Sequence, residues 1–190
     1  MPGEATPPQT VGPFFGPGLL DARWGTAASD SAPGERIRVE GRLLDGERRP
    51  VSDGMIEIWQ ADPGGRYPHP FDPGGASVED GFIGFGRSGT DADGLFAFET
   101  VMPGSVVGPG GTMHSPHLNV HVFARGLLDR LATRVYFDDD PTREHDPFLA
   151  SLPQERRDTL VARRQPSPTS AVYRFDVVLQ GDAETVFFDG

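Results

Sequence analysis

The segment His117-Leu118-Asn119-Val120-His121 has the spacing most suggestive of chemistry. On an extended strand, alternation puts His117, Asn119 and His121 on one face, with Leu118, Val120 and Val122 on the other. Imidazoles sharing a strand face suit a metal ion. The same polar face equally suits hydrogen-bonded residues at a sandwich edge or a subunit contact. Tyr67, in Gly65-Arg66-Tyr67, is the second candidate. A tyrosinate is a hard anionic donor for ferric iron, although a lone tyrosine in a loop also serves as a packing residue. His69, His114 and His145 are weaker ligand candidates. Thr90-Asp91-Ala92-Asp93-Gly94 has the look of a calcium loop. Counted from Asp91, the fifth and twelfth positions are Leu95 and Met102, which offer no side-chain oxygen, so the segment reads as a hairpin turn. No G-x-S-x-G elbow and no Walker or dinucleotide phosphate loop is present. No carboxylate pair is singled out by its spacing.

Strands and long loops must position these residues. Ile37, Val39 and Leu43 alternate with Arg36, Arg38, Glu40 and Arg42, the signature of a half-buried strand. Further strands are predicted over 55–59, 95–101, 118–123, 134–137, 173–179 and 186–188. Residues 62–81 and 103–116 form two long loops rich in Gly and Pro, a length that usually signals function. One helix is predicted over 153–164, with Pro153 at its start. Residues 1–35 read as an extended arm. Its prolines forbid a central strand, while Val11, Phe14, Phe15, Leu19, Leu20 and Trp24 need cover from the chain's own core or from another subunit. The expected architecture is an all-β sandwich of two mixed or antiparallel sheets. One domain spans 1–190: the arm, then a core over 36–190 ending with one short late helix.

Composition narrows the function. The 190 residues contain 17 Lys+Arg against 28 Asp+Glu, a net charge of −11, which argues against nucleic-acid or anionic-membrane binding. The absence of cysteine removes disulfides, thiolate metal sites and cysteine nucleophiles. Gly 25 and Pro 19 disfavour a helical protein, and 36% hydrophobic residues with 13 Phe disfavour a disordered one. Without an apolar run of spanning length or a secretory signal pattern, the expectation is a cytoplasmic protein.

Several segments together resemble one family. They are Thr6-Pro7-Pro8-Gln9-Thr10-Val11-Gly12-Pro13-Phe14-Phe15, Glu57-Ile58-Trp59-Gln60-Ala61-Asp62, Phe85-Gly86-Arg87, Pro116-His117-Leu118-Asn119-Val120, Phe123-Ala124-Arg125-Gly126, Tyr136-Phe137-Asp138-Asp139, Tyr173-Arg174-Phe175-Asp176 and Glu184-Thr185-Val186-Phe187-Phe188-Asp189. Spread over nearly the whole chain, they resemble the intradiol ring-cleaving dioxygenases. That resemblance implies a non-haem Fe(III) held by two Tyr and two His, and cleavage by O₂ between the two hydroxylated carbons of a dihydroxybenzene ring.

The chain departs from the family's ligand set at two positions. Tyr67 matches the first tyrosine and His117 the first histidine. Val106 stands where the second phenolate is needed, and Asn119 where the second imidazole is needed. His121 shares the face but lies one strand step too far. The only other tyrosines, Tyr136 and Tyr173, lie in other strands. This pattern resembles the metal-free chain of two-chain family members. It implies no catalytic and no metal-binding residue in this chain. Fe(III) would be held by a homologous β subunit, in αβ protomers of a higher oligomer. Thr10, Gly12, Pro13 and Arg125 match residues that line the partner's substrate pocket. Gly12 lets backbone approach a ligand, Pro13 supplies a flat wall, and Arg125 supplies positive charge for a substrate carboxylate, although an arginine there also suits a surface salt bridge. An active single-chain enzyme and a non-enzymatic sandwich module are the alternatives.

Overall fold

A computed structural model describes residues 15–72 and 80–188. Thr10, Gly12 and Pro13 lie outside the described residues. The chain enters through a short helix α1 (Phe15–Leu19) and a 3-10 turn, Ala22–Gly25, whose N-cap Asp21 accepts from the Arg23 amide. The strands follow as β1 (Arg36–Leu44), β2 (Met55–Gln60), β3 (Phe85–Gly89), β4 (Leu95–Val101), β5 (Val106–Val107), β6 (Met113–His114), β7 (His117–Phe123) and β8 (Leu131–Phe137). Two short helices, α2 (Pro147–Ser151) and α3 (Gln154–Arg157), precede β9 (Val161–Gln165), β10 (Ala171–Arg174) and β11 (Val177–Val178).

The order is β11-β1-β10-β9-β8-β7-β2-β3, with β4 also paired to β1 and β5-β6 forming a separate hairpin. The path folds into two layers. Ile37, Val39, Phe96, Phe98 and Tyr173 from the β1 side share one buried cluster with Ile56, Ile58, Leu118, Val120 and Val135 from the β7 side. Their burial on one inner face of each sheet is the sandwich that the period-two pattern demands. β9 joins the layers, antiparallel to β10 and parallel to β8. Gly41 interrupts the apolar phase of β1 because a Cβ there would lie 1.6 Å from the Phe175 carbonyl oxygen.

The expected helix over 153–164 is shorter than predicted. It ends at Arg157, continues as a 3-10 turn over Asp158–Leu160, and gives way to β9 at Val161. Val161 and Ala162 pair with Tyr136 and Phe137, so closing the two sheets outweighs local helix preference. The strand expected over 186–188 reduces to one bridge between Ala132 and Phe188. The segment 173–179 divides into β10 and β11, the former running alongside β1 and the latter continuing that pairing.

Candidate functional site

β7 presents its side chains as its alternation requires. Leu118, Val120 and Val122 enter the core, and His117, Asn119 and His121 take the other face. The loops 62–72 and 103–116 close over the His117 end. Gly104 N donates to the Asp62 carbonyl at 2.9 Å. Gly65 has φ +77, and a Cβ on it would lie 2.0 Å from the Ser105 carbonyl oxygen, so only glycine lets the two loops touch. Under this cover His117 is 3% exposed.

Tyr67 leaves the first loop and stacks on Trp59, with centroids 5.8 Å apart and planes 15° apart. Its amide donates to Asp72 Oδ2 at 2.9 Å. Asn119 Nδ2 donates to Tyr67 Oη at 3.1 Å and to the Trp59 carbonyl at 3.2 Å. Burial pushes the Tyr67 phenol above its usual range, so at neutral pH it is protonated. His117 Nδ1 lies 2.7 Å from the Ser115 carbonyl, which only accepts. That contact assigns the proton to Nδ1 of the neutral ring. Burial, aided by the Arg134 charge, lowers its pKa to about 4. Val106 pairs in register with His114, whose ring lies 6.3 Å from that of His117. Tyr67, Val106, His117 and Asn119 are therefore brought to one end of β7.

The residues beneath this group were not singled out by sequence reasoning. Arg134 lies opposite Asn119 in the β7-β8 register. Its guanidinium sits over the Phe148 ring at 5.2 Å, and its Nη1 is 3.5 Å from both His114 Nδ1 and Tyr136 Oη. Tyr136 Oη donates to Asp146 Oδ1 at 3.2 Å. Asp146, 1% exposed, also accepts from the amides of Ser115, Phe148 and Leu149. The available signals were Arg134 and Tyr136 alternating on a strand, and Asp146-Pro147 as a helix start.

A ferric ion would find few donors here. Val106 has none, Asn119 turns its amide hydrogens toward Tyr67, and the Arg134 guanidinium adds positive charge beside them. These residues do not fit the metal. His121 does not complete a set, because it lies beside Glu57 and Ala132 in the register, away from the loops. Among the described residues, no group of three or more His, Asp or Glu side chains is arranged to hold a metal ion.

Arg125 is elsewhere. It lies past the opposite end of β7, and the strand alone puts it roughly 20 Å from His117 at about 3.3 Å per residue. Its Nε is 2.5 Å from Asp53 Oδ2, and its side chain is 71% exposed. The anchored end of the N-terminal arm lies at this same end. Leu20 packs on Gly89, in register with Met55 and through it with Phe123. Arg87 Nη1 donates to the Leu19 carbonyl at 3.2 Å while its Nε and Nη2 hold Glu57. Trp24 meets Phe85 edge to face. The exposed edge of β3 is covered in this way.

A family model described as Dioxygenase matches residues 11–181. The chain belongs to the intradiol dioxygenase family. It is 45% identical over 199 aligned positions to the protocatechuate 3,4-dioxygenase alpha chain of Burkholderia cepacia, covering 98% of both chains. It is 37% identical to the beta chain of the same name from Burkholderia cepacia, over 78% of this chain and 66% of that one. Among solved structures it is similar to the dioxygenase domain of a dioxygenase–carbohydrate-binding fusion from Streptomyces sp. SirexAA-E. The TM-score is 0.62, at 28% identity and with 94% and 99% of the two chains covered. The intradiol family is iron-dependent. In this member of the family Tyr67, Val106, His117 and Asn119 lie together at one end of β7. No helix among the described residues is long and apolar enough to cross a membrane.

Proposed function

We propose that this chain is the non-metal α subunit of a cytoplasmic protocatechuate 3,4-dioxygenase. It completes the active site of a homologous β subunit that holds Fe(III). The assembled enzyme joins protocatechuate and O₂ to give 3-carboxy-cis,cis-muconate, a ring-opening step of the β-ketoadipate pathway of aromatic catabolism. Both oxygen atoms enter the product, and the bond between the two hydroxylated carbons breaks.

The observation that carries this reading is the separation of Arg125 from the Tyr67–His117 group. Arg125 lies past the far end of β7, roughly 20 Å along the strand from His117, which favours a role at a neighbouring chain over one at its own Tyr67–His117 group. The anchored stretch around Leu19 and Leu20 stands at the same end, and Thr10, Gly12 and Pro13 precede it in the sequence. The roles come from the family resemblance. Arg125 places positive charge against the substrate carboxylate in a protein of net charge −11. Thr10, Gly12 and Pro13 wall the pocket. Tyr67, Val106, His117 and Asn119 are the remains of a metal site and take no part in the reaction.

The test is co-expression with a β chain of this family. Co-purification, with ring cleavage by the mixed complex and none by this chain alone, is expected. Ring cleavage by this chain without the β chain would overturn the proposal.

A further inference from the structure

Asp53 and Arg125 face each other by construction. Met55 pairs with Phe123 in the antiparallel β2-β7 ladder, so the residue two before Met55 lies opposite the residue two after Phe123. Both flanks are fixed. Gly54 N donates to Thr90 Oγ1 at 2.8 Å on one side. On the other, the Leu127 amide closes a turn on the Ala124 carbonyl, and Gly126 takes φ +89. Asp53 approaches Arg125 through Nε, the nitrogen nearest the stem. Among the described residues, Nη1 and Nη2 of Arg125 make no hydrogen bond. A guanidinium held at Nε presents its two terminal nitrogens as a fork, the geometry that matches a carboxylate.

We infer that Asp53 is a positioning residue that aims the terminal nitrogens of Arg125 at the carboxylate of an aromatic acid substrate. The inference rests on the reading that Arg125 faces the partner's pocket. Without Asp53 the long, exposed Arg125 side chain samples many rotamers, and substrate binding must order it. The consequence falls on substrate binding rather than on the chemical step.

The experiment uses the co-expressed αβ complex with protocatechuate as the probe. The variants are Asp53→Ala, Asp53→Asn, Asp53→Glu, Arg125→Ala and the Asp53→Ala/Arg125→Ala pair. Co-purification and iron content are checked for each. Asp53→Ala and Asp53→Asn are expected to raise KM about 3- to 10-fold with kcat changed less than about twofold, as loss of a binding interaction does. Asp53→Glu is expected to recover most of the loss. The double variant is expected to match Arg125→Ala alone, because Asp53 acts only through Arg125. If Arg125→Ala raises KM while the Asp53 variants leave it unchanged, or if the two effects add in full, the role of Asp53 is refuted and that of Arg125 stands. If Arg125→Ala leaves KM unchanged, both fall.

Discussion

Asn119 Nδ2 donates to Tyr67 Oη at 3.1 Å, tying a β7 side chain to the loop that follows β2. The amide hydrogen bond holds the phenol in place, while burial keeps that phenol protonated against the opposing pull of the donated bond. Tyr67→Phe should therefore be tolerated by the fold. It removes one hydrogen bond in a half-buried stack, at a cost of about 1 kcal/mol, because Asn119 keeps its bond to the Trp59 carbonyl. Asn119→Leu leaves the phenol unpartnered and should cost more, about 2 kcal/mol. Urea unfolding of both variants checks this ranking.

His117 makes acid the weak side of this fold. Its pKa in the folded chain is lowered by burial to about 4, from the 6.5 of an ordinary histidine. The unfolded chain then binds more protons between those values, so stability is present above pH 6.5 and is lost as pH falls toward 4. The loss is of order 3 kcal/mol by linkage. His117→Gln should flatten the acid limb of a stability–pH curve measured by urea unfolding at pH 7 and pH 4.5. An unchanged slope would show that His117 already titrates normally.

The strand content was legible because β1 and β7 each bury one face. Arg36-Ile37-Arg38-Val39 and Leu118-Asn119-Val120-His121 report that burial directly. β3 was not legible. Phe85-Gly86-Arg87-Ser88-Gly89 has two glycines where a strand prefers branched residues, and their reason is tertiary: a Cβ on Gly86 would meet both Ile58 and Phe98 at 3.0 Å. That Tyr67, Val106, His117 and Asn119 should lie together was an expectation of the family resemblance, and the structure does bring them to one end of β7. Arg134 and Asp146 were not, since their significance depends on which strands become neighbours. Nothing in the chain order places Arg125 at the opposite end of β7 from Tyr67; the register does. The roles of Thr10, Gly12 and Pro13 rest on the resemblance alone.

Asp146 is a keystone of the site's floor. It caps α2, holds the Ser115 amide and accepts from Tyr136. Asp146→Ala should destabilise the chain by about 2–4 kcal/mol, more than loss of a helix cap alone, because buried donors on three elements lose their acceptor. Urea unfolding measures it. A loss below about 1 kcal/mol would show that water replaces the carboxylate.

Arg87 should matter for the arm rather than for the core. Glu57 and Arg87 are both largely buried, and the same guanidinium reaches the Leu19 carbonyl. Arg87→Ala should speed proteolytic cleavage ahead of Trp24 and weaken co-purification with the β chain, while the melting temperature of the core falls only a few degrees for a loss of about 1 kcal/mol. Unchanged cleavage would remove Arg87 from the arm's anchorage.

The central claim is that the metal belongs to the partner, and iron stoichiometry tests it most directly. Iron measured against both subunits in the co-purified complex should come to one ion per αβ pair. Two ions per pair would contradict the account, since the second could reside only in the chain that carries Val106 and Asn119.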